Sequence, residues 1–168
     1  MTLLQISGPL VSKYGGPVRS ALTLATNYFP ALNLDHGLIV IGEIETDYAE
    51  VLNSVGVQFQ AIPSLNSNGY EISRHAIQIA REIRRNSQIV FHGFYLLGLF
   101  QVLVHSRKGT QIIIIPHGSF QRYSRGHRRA LKSIFHFLFK ILTMRKFEVV
   151  FAVMSRAEYG DVSNVFNN

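Results

Sequence analysis

The strongest indication of the fold is the run Gln111-Ile112-Ile113-Ile114-Ile115, which is followed directly by Pro116-His117-Gly118. Four consecutive isoleucines are apolar on both faces of an extended chain, which is typical of a central strand in a parallel sheet covered by helices. The proline and glycine after the run predict that the strand ends there. His117 is therefore expected at the carboxyl end of a buried strand.

Similar short apolar runs recur along the chain and alternate with segments of helical spacing. Strands are predicted at 3–6, 38–41, 57–62, 88–91, 111–115 and 149–153. Helices are predicted from Pro17, over about 46–53, 70–85, 96–105 and 127–145, and from Ser155 to Val165. This alternation predicts an α/β fold, a Rossmann-like sandwich with a mainly parallel sheet and helices on both faces. A length of 168 residues fits one domain, 1–168.

The composition excludes several classes of protein and site. Hydrophobic residues make up 47% of the chain and charged residues 16%, which is enough apolar material for a folded core. The absence of cysteine excludes disulfides, thiolate metal sites and a cysteine nucleophile. The stretch 86–106 contains no charged side chain, but histidines, glutamines and glycines interrupt it, so we predict a strand, a loop and a helix rather than a membrane span.

The charge is unevenly distributed along the chain. Residues 1–100 have a net charge of −1, whereas residues 101–168 have a net charge of +8. Such an asymmetry indicates an anionic partner, for example a phosphate, a nucleic acid or lipid headgroups. The N-terminus lacks the basic region of a signal peptide. We expect a cytoplasmic protein, with peripheral attachment to the inner face of the membrane as an extension of that expectation.

The loop after the first predicted strand contains Gly15-Gly16 directly before a helix that begins near Pro17. Two glycines at a helix start let backbone N–H groups approach an anion closely, and the helix dipole favours that anion. The spacing matches neither the three-glycine dinucleotide motif nor the P-loop. A phosphate site and a simple tight turn are both consistent with this pattern.

Two predicted strands end in the same dipeptide, His92-Gly93 and His117-Gly118. Ligands of parallel α/β sheets bind beyond the carboxyl ends of the strands, where both histidines are expected. An imidazole there can hydrogen-bond a sugar hydroxyl or exchange a proton near neutral pH. The alternative is that each histidine is a buried or loop residue without a ligand. No metal site is predicted, because the histidines lack acidic or cysteine partners at suitable spacing.

A basic segment follows the second His-Gly pair. Its first members are Arg122 and Arg125. In the helix that continues it, Ile134, Phe135, Leu138, Ile141 and Leu142 are predicted on one face, with Lys132, His136, Lys140 and Thr143 on another. This helix either packs on the sheet with a solvated basic side or also contacts anionic lipid. Further on, Ser155 and Glu158 have the spacing of a capping box, which we favour over a catalytic role.

Taken in order, these motifs resemble the N-terminal domain of family-four glycosyltransferases of the GT-B type. The resemblance extends over about the whole chain. It rests on Gly15-Gly16 with the following helix, His92-Gly93, Ile115-Pro116-His117-Gly118-Ser119-Phe120 and Val153-Met154-Ser155-Arg156-Ala157-Glu158. The fold alone would not imply a function.

The resemblance implies the acceptor-side domain of a retaining glycosyltransferase. Such an enzyme moves a sugar from a nucleotide sugar to a glycan or lipid-linked acceptor, as in polysaccharide biosynthesis, with no metal and no cofactor besides the donor. Gly15 and Gly16 would face the donor diphosphate, and His117 would be the catalytic residue at the donor sugar. His92, Arg122 and Arg125 would bind the acceptor.

That family places a second, donor-binding domain after this one, and these 168 residues do not contain it. We therefore expect little or no transferase activity from the chain alone, as for a truncated or split enzyme. The alternative is a non-catalytic binding or scaffold subunit of a split or degenerate glycosyltransferase, with a separate donor-binding chain as its partner. Nucleic-acid binding is disfavoured, because no recognition motif is present.

Overall fold

The strands predicted from the sequence form one parallel sheet in a computed structural model, which describes residues 3–63, 83, 87–94, 98–120, 129–143 and 148–166. The sheet order is β3-β2-β1-β4-β5-β6, and every neighbouring pair is parallel. The strands are β1 (Leu3–Ser7), β2 (His36–Ile41), β3 (Gln58–Ile62), β4 (Gln88–His92), β5 (Gln111–Ile115) and β6 (Glu148–Phe151). The prediction of a single Rossmann-like α/β domain is confirmed.

Helices connect the strands in the predicted alternation. They are α1 (Gly16–Thr23), α2 (Phe29–Ala31), α3 (Thr46–Ser54), α4 (Gly98–His105), α5 (Arg129–Thr143) and α6 (Arg156–Phe166). A π-helical turn, Leu24–Tyr28, joins α1 to α2, so the helical segment that begins near Pro17 continues to Ala31. The helix predicted over 70–85 lies outside the described residues except for Ile83, which is buried.

The two faces of the sheet are covered by different helices. Side chains of α1 and α3, such as Ala21 and Leu52, pack on Leu38 and Val40 of β2. The opposite face carries Phe91 and its neighbours on β4 and β5 against α4, α5 and α6. Since parallel strands buried on both faces need apolar residues at every position, the isoleucine run of β5 suits its place beside β4.

The strand order reverses at β1 and β4. From β1 the chain proceeds outward to β2 and β3, and from β4 it proceeds the other way to β5 and β6. At such a switch point the loops diverge and leave a crevice beyond the carboxyl ends of the strands, where ligands of this architecture bind. The glycine loop after β1 and the His-Gly turns after β4 and β5 therefore leave the sheet from the same edge.

The orientation of α5 differs from the prediction. Phe135 and Phe139 face the core, with ring centroids 5.3 Å and 4.9 Å from that of Phe94, whereas Ile134, Leu138 and Ile141 are exposed. The helix is apolar on both sides, and the large aromatic pair takes the inner side because it fills the space around Phe94. Burial lowers the pKa of Lys132, which was predicted on the solvated side. No described helix is long and apolar enough to cross a membrane.

Candidate functional site

The glycine loop is held against the loop that follows β2. Leu10 pairs with Ile44, and the backbone N–H and hydroxyl of Ser12 both donate to Glu45 Oε1 at 2.9 Å. Gly15 has a φ of +54°, and α1 begins at the next residue. In the first helical turn the N–H groups of Gly16 and Val18 have no intrahelical acceptor, and Pro17 has no N–H group.

Space is open around both glycines. Apart from its neighbours in the chain and the helix backbone, a Cβ atom added at Gly15 or Gly16 would meet no atom of the described residues within 4 Å. Packing within the chain therefore does not explain why residue 16 is a glycine, whereas the positive φ at Gly15 does explain that residue. An uncovered backbone at a helix start is accessible to an external anion.

Alanine substitutions at these two glycines should have different effects on the free energy of unfolding. We expect Gly15→Ala to lower the free energy of unfolding by about 1–2 kcal/mol, because a side chain is strained at a positive φ. Gly16→Ala should change it by less than about 0.5 kcal/mol, since its site is open and its backbone lies outside the strained region. Urea unfolding of both variants measures the difference. An equal loss in the two variants would show that Gly16 has a structural role that its open surroundings do not reveal.

The two predicted histidines contact each other. His92 Nδ1 lies 3.0 Å from His117 Nε2, and the rings are nearly parallel, with centroids 5.3 Å apart. On its other side, His92 Nε2 lies 2.8 Å from Gln5 Nε2, which also donates to the Ala21 carbonyl at 2.8 Å. A buried polar chain thus extends from α1 through Gln5 and His92 to the turn after β5.

The direction of these hydrogen bonds follows from the Gln5 amide. Its NH₂ group must face the Ala21 carbonyl, so its second hydrogen is donated to His92 Nε2. His92 then carries its proton on Nδ1 and donates it to His117 Nε2. The neutral His117 ring carries its proton on Nδ1, an atom that bonds to no described residue. Gln5 Oε1 is buried without a partner among the described residues.

Both imidazoles are held in the neutral form. Burial lowers the pKa of His92 to about 3, and the neighbouring His117 contributes to this lowering. Burial also lowers the pKa of His117, an effect that the carboxylate of Glu158 partly opposes. At neutral pH the pair therefore offers a ligand a hydrogen-bond donor rather than a positive charge.

His117 has an unusual backbone conformation. Its φ is +48°, and that of Gly118 is +72°. The N–H of Ser119 donates to the Pro116 carbonyl at 3.0 Å, which closes a tight turn whose two central residues both have positive φ. A left-handed conformation costs a histidine about 1 kcal/mol, and such strain is found preferentially where a side chain must be aimed at a ligand.

Glu158 holds this turn from α6, a role that the sequence analysis missed. Its carboxylate accepts N–H groups from Gly118 at 2.6 Å and Met154 at 2.8 Å. Half of the predicted capping box is also present, because the Glu158 N–H donates to Ser155 Oγ at 3.1 Å, while the Glu158 carboxylate accepts the N–H of Met154. The Ser-x-x-Glu spacing fits a cap alone equally well, so only the tertiary contact with Gly118 reveals the second role.

The predicted site residues have three different outcomes in the structure. The loop of Gly15 and Gly16 and the turn of His117 lie at one edge of the sheet, on strands separated only by β4. His92 is 2% exposed and both of its ring nitrogens are engaged, so it reaches a ligand only through His117, contrary to its predicted place in an acceptor pocket. Arg122 and Arg125 lie outside the described residues. Within the described chain, no three His, Asp or Glu residues form a group that could bind a metal ion.

The fold is similar to that of BdcA (YjgI) from E. coli. The similarity covers 90% of this chain and 81% of BdcA, with a TM-score of 0.54 and 11% sequence identity. At this identity the likeness shows the fold alone. No protein-family model matches the chain, and no curated protein sequence matches it.

Proposed function

We propose that this chain is the acceptor-side domain of a retaining glycosyltransferase of the GT-B type, which uses a nucleotide sugar and a glycan or lipid-linked acceptor. The observation that carries the proposal is that the glycine loop and the His117 turn follow β1 and β5 at the same edge of the sheet, separated only by β4. Neighbouring strands are about 4.8 Å apart, so β1 and β5 lie roughly 10 Å apart. One sugar diphosphate can bridge a gap of that size.

In this proposal the diphosphate lies against the first turn of α1. The N–H groups of that turn and the helix dipole favour an anion, and the open space at Gly16 leaves room for its approach. The bond from the anomeric carbon to a diphosphate oxygen breaks, a bond from that carbon to the acceptor oxygen forms, and the acceptor's proton passes to the departing diphosphate. The diphosphate leaves with the nucleotide, which a donor-binding domain outside these residues would hold.

His117 acts in this scheme as a hydrogen-bond donor to the sugar. Its Nδ1–H is unused by the described residues, while its Nε2 accepts from His92. Taking up a second proton would place a positive charge on a ring whose burial favours the neutral form. His92 and Gln5 are positioning residues, because they fix the tautomer of His117 without touching the ligand.

The alternative function is a non-catalytic binding or scaffold subunit. It is favoured by the hydrogen bonds of Glu158 and His92, which connect segments of the chain to each other rather than facing a ligand. In that case the polar chain only stabilises the crevice, and a partner chain supplies all recognition of the sugar.

Titration followed by backbone-amide NMR distinguishes these functions. We expect UDP-glucose, GDP-mannose or pyrophosphate to shift the amide signals of Gly15, Gly16 and His117. His117→Asn, which tolerates a left-handed backbone, should weaken nucleotide-sugar binding about fivefold, the value of one lost hydrogen bond. His105→Asn, on α4, is the control and should bind as the wild type does.

Two outcomes would count against the assignment. If none of the three ligands shifts these amide signals, the non-catalytic subunit is the better description. A preference for NAD, with shifts in the loop after β2 near Glu43, would instead indicate a dinucleotide site of the kind that this strand order often carries.

A further inference from the structure

One side of α5 carries an exposed row of large apolar side chains. Ile134, Phe137, Leu138 and Ile141 expose 56%, 65%, 42% and 54% of their surface. Their spacing of three, one and three residues places them on one side of the helix. We refer to these four residues as the apolar ridge.

The packing of α5 keeps the ridge turned outward. Phe135 and Phe139 occupy the inner side, where they contact the ring of Phe94. Rotating the helix to bury the ridge would expose this aromatic pair instead. Contiguous exposed apolar side chains on a folded domain are a mark of an interaction surface, whereas single ones are ordinary.

The surroundings of the ridge are basic in sequence. From Gln101 to Phe147 the chain contains ten Lys and Arg residues and no Asp or Glu. On α5 itself Lys140 is exposed directly beside Ile141, whereas Lys132 lies on the inner side with Phe135 and Phe139. An apolar row bordered by positive charge is the pattern of a helix that lies in a membrane interface.

We propose that α5 is a membrane-surface helix whose apolar ridge inserts into an anionic bilayer while the flanking lysines and arginines bind lipid headgroups. A second copy of this chain is a poorer occupant, because pairing would bring together two segments that each contain ten Lys and Arg residues and no Asp or Glu. Four side chains are also far fewer than the roughly 20–30 residues per partner of a stable interface. The proposal goes beyond the proposed function and does not depend on it.

A single tryptophan tests insertion directly, because the chain contains none. Phe137→Trp places the probe on the ridge, and Leu32→Trp is the matched control, since both native residues are 65% exposed. With vesicles of about 70% phosphatidylcholine and about 30% phosphatidylserine, the tryptophan emission of the Phe137→Trp variant should shift to shorter wavelength. Emission from the control should stay unchanged, and vesicles of phosphatidylcholine alone should have at most about a tenth of the effect.

Vesicle co-sedimentation of the full chain provides a second readout that does not need the probe. Phe137→Ser combined with Ile141→Ser should reduce binding to anionic vesicles at least about tenfold, while Leu32→Ser with Val51→Ser should not. Each basic residue near the surface contributes about fivefold in affinity, so raising the salt concentration should release the wild type. Circular dichroism confirms that the variants remain folded.

Several results would overturn the proposal. Equal binding to neutral and anionic vesicles would show that headgroup charge does not contribute to binding. Unshifted tryptophan emission from vesicle-bound Phe137→Trp protein would show that the ridge does not insert. An emission shift that appears without lipid and grows with protein concentration would show that the ridge mediates self-association.

Discussion

Lowering the pH from 7 to 4.5 is expected to reduce the free energy of unfolding by about 3 kcal/mol, through His92 alone. Folding lowers the pKa of this imidazole from 6.5 to about 3. Below pH 6.5 the unfolded chain therefore binds a proton that the folded chain excludes, and stability falls continuously as the pH drops toward 3. The pKa of His117 shifts in the same direction and adds to the loss.

Urea unfolding at intervals of half a pH unit measures this effect. His92→Gln keeps a donor and an acceptor at the buried position but cannot titrate, so its stability should be much less dependent on pH between 6.5 and 4.5. His105→Gln leaves the buried pair intact and should retain the wild-type slope. A wild-type slope in the His92 variant would mean that other groups dominate the acid sensitivity.

Replacing Glu158 with alanine is the second change with a large expected effect, a loss of about 3 kcal/mol in the free energy of unfolding. The variant leaves the N–H groups of Gly118 and Met154 without their acceptor. Each unsatisfied buried donor costs about 1–3 kcal/mol, and the partial burial of this region places the cost of each at about 1.5 kcal/mol, in the lower half of that range.

Two other variants separate this role of Glu158 from simple capping. Ser155→Ala removes only the acceptor of the Glu158 N–H and should cost about 1 kcal/mol. Glu50→Ala, on the exposed side of α3, should cost less than about 0.5 kcal/mol. If Glu158→Ala were no more damaging than Ser155→Ala, the contact with the turn after β5 would contribute nothing. NMR titration provides an independent check, since loss of the carboxylate should lower the pKa of His117 further.

Most of the sheet could be predicted from the sequence because its signals are local. The isoleucine run of β5 and the glycine or proline near the strand ends indicated the alternation of elements and the position of the crevice. The sequence predicted both histidines beyond the carboxyl ends of strands, but their contact with each other depends on β4 and β5 being neighbours, which the sequence analysis did not predict. The burial of His92 did not follow, because it depends on how α1 covers that strand.

The remaining features depend on contacts between distant residues. Glu158 meets Gly118 across 40 positions, and its local pattern is complete without that contact. The side of α5 that faces inward was ambiguous, because apolar residues occur on both sides of the helix. Gln5 was a missed signal, since a glutamine within the buried run of β1 requires a polar partner.

The Gln5 amide connects the two borders of the crevice. One of its hydrogens is held by a carbonyl of the helix that starts at Gly16, and the other sets which nitrogen of His92 carries a proton. A displacement of that helix that freed the Ala21 carbonyl would let the amide rotate and present its oxygen to His92. Both rings would then exchange tautomers, and His117 would face the crevice with a lone pair in place of a hydrogen. A small adjustment at one border can in this way reverse the acid–base character of the other.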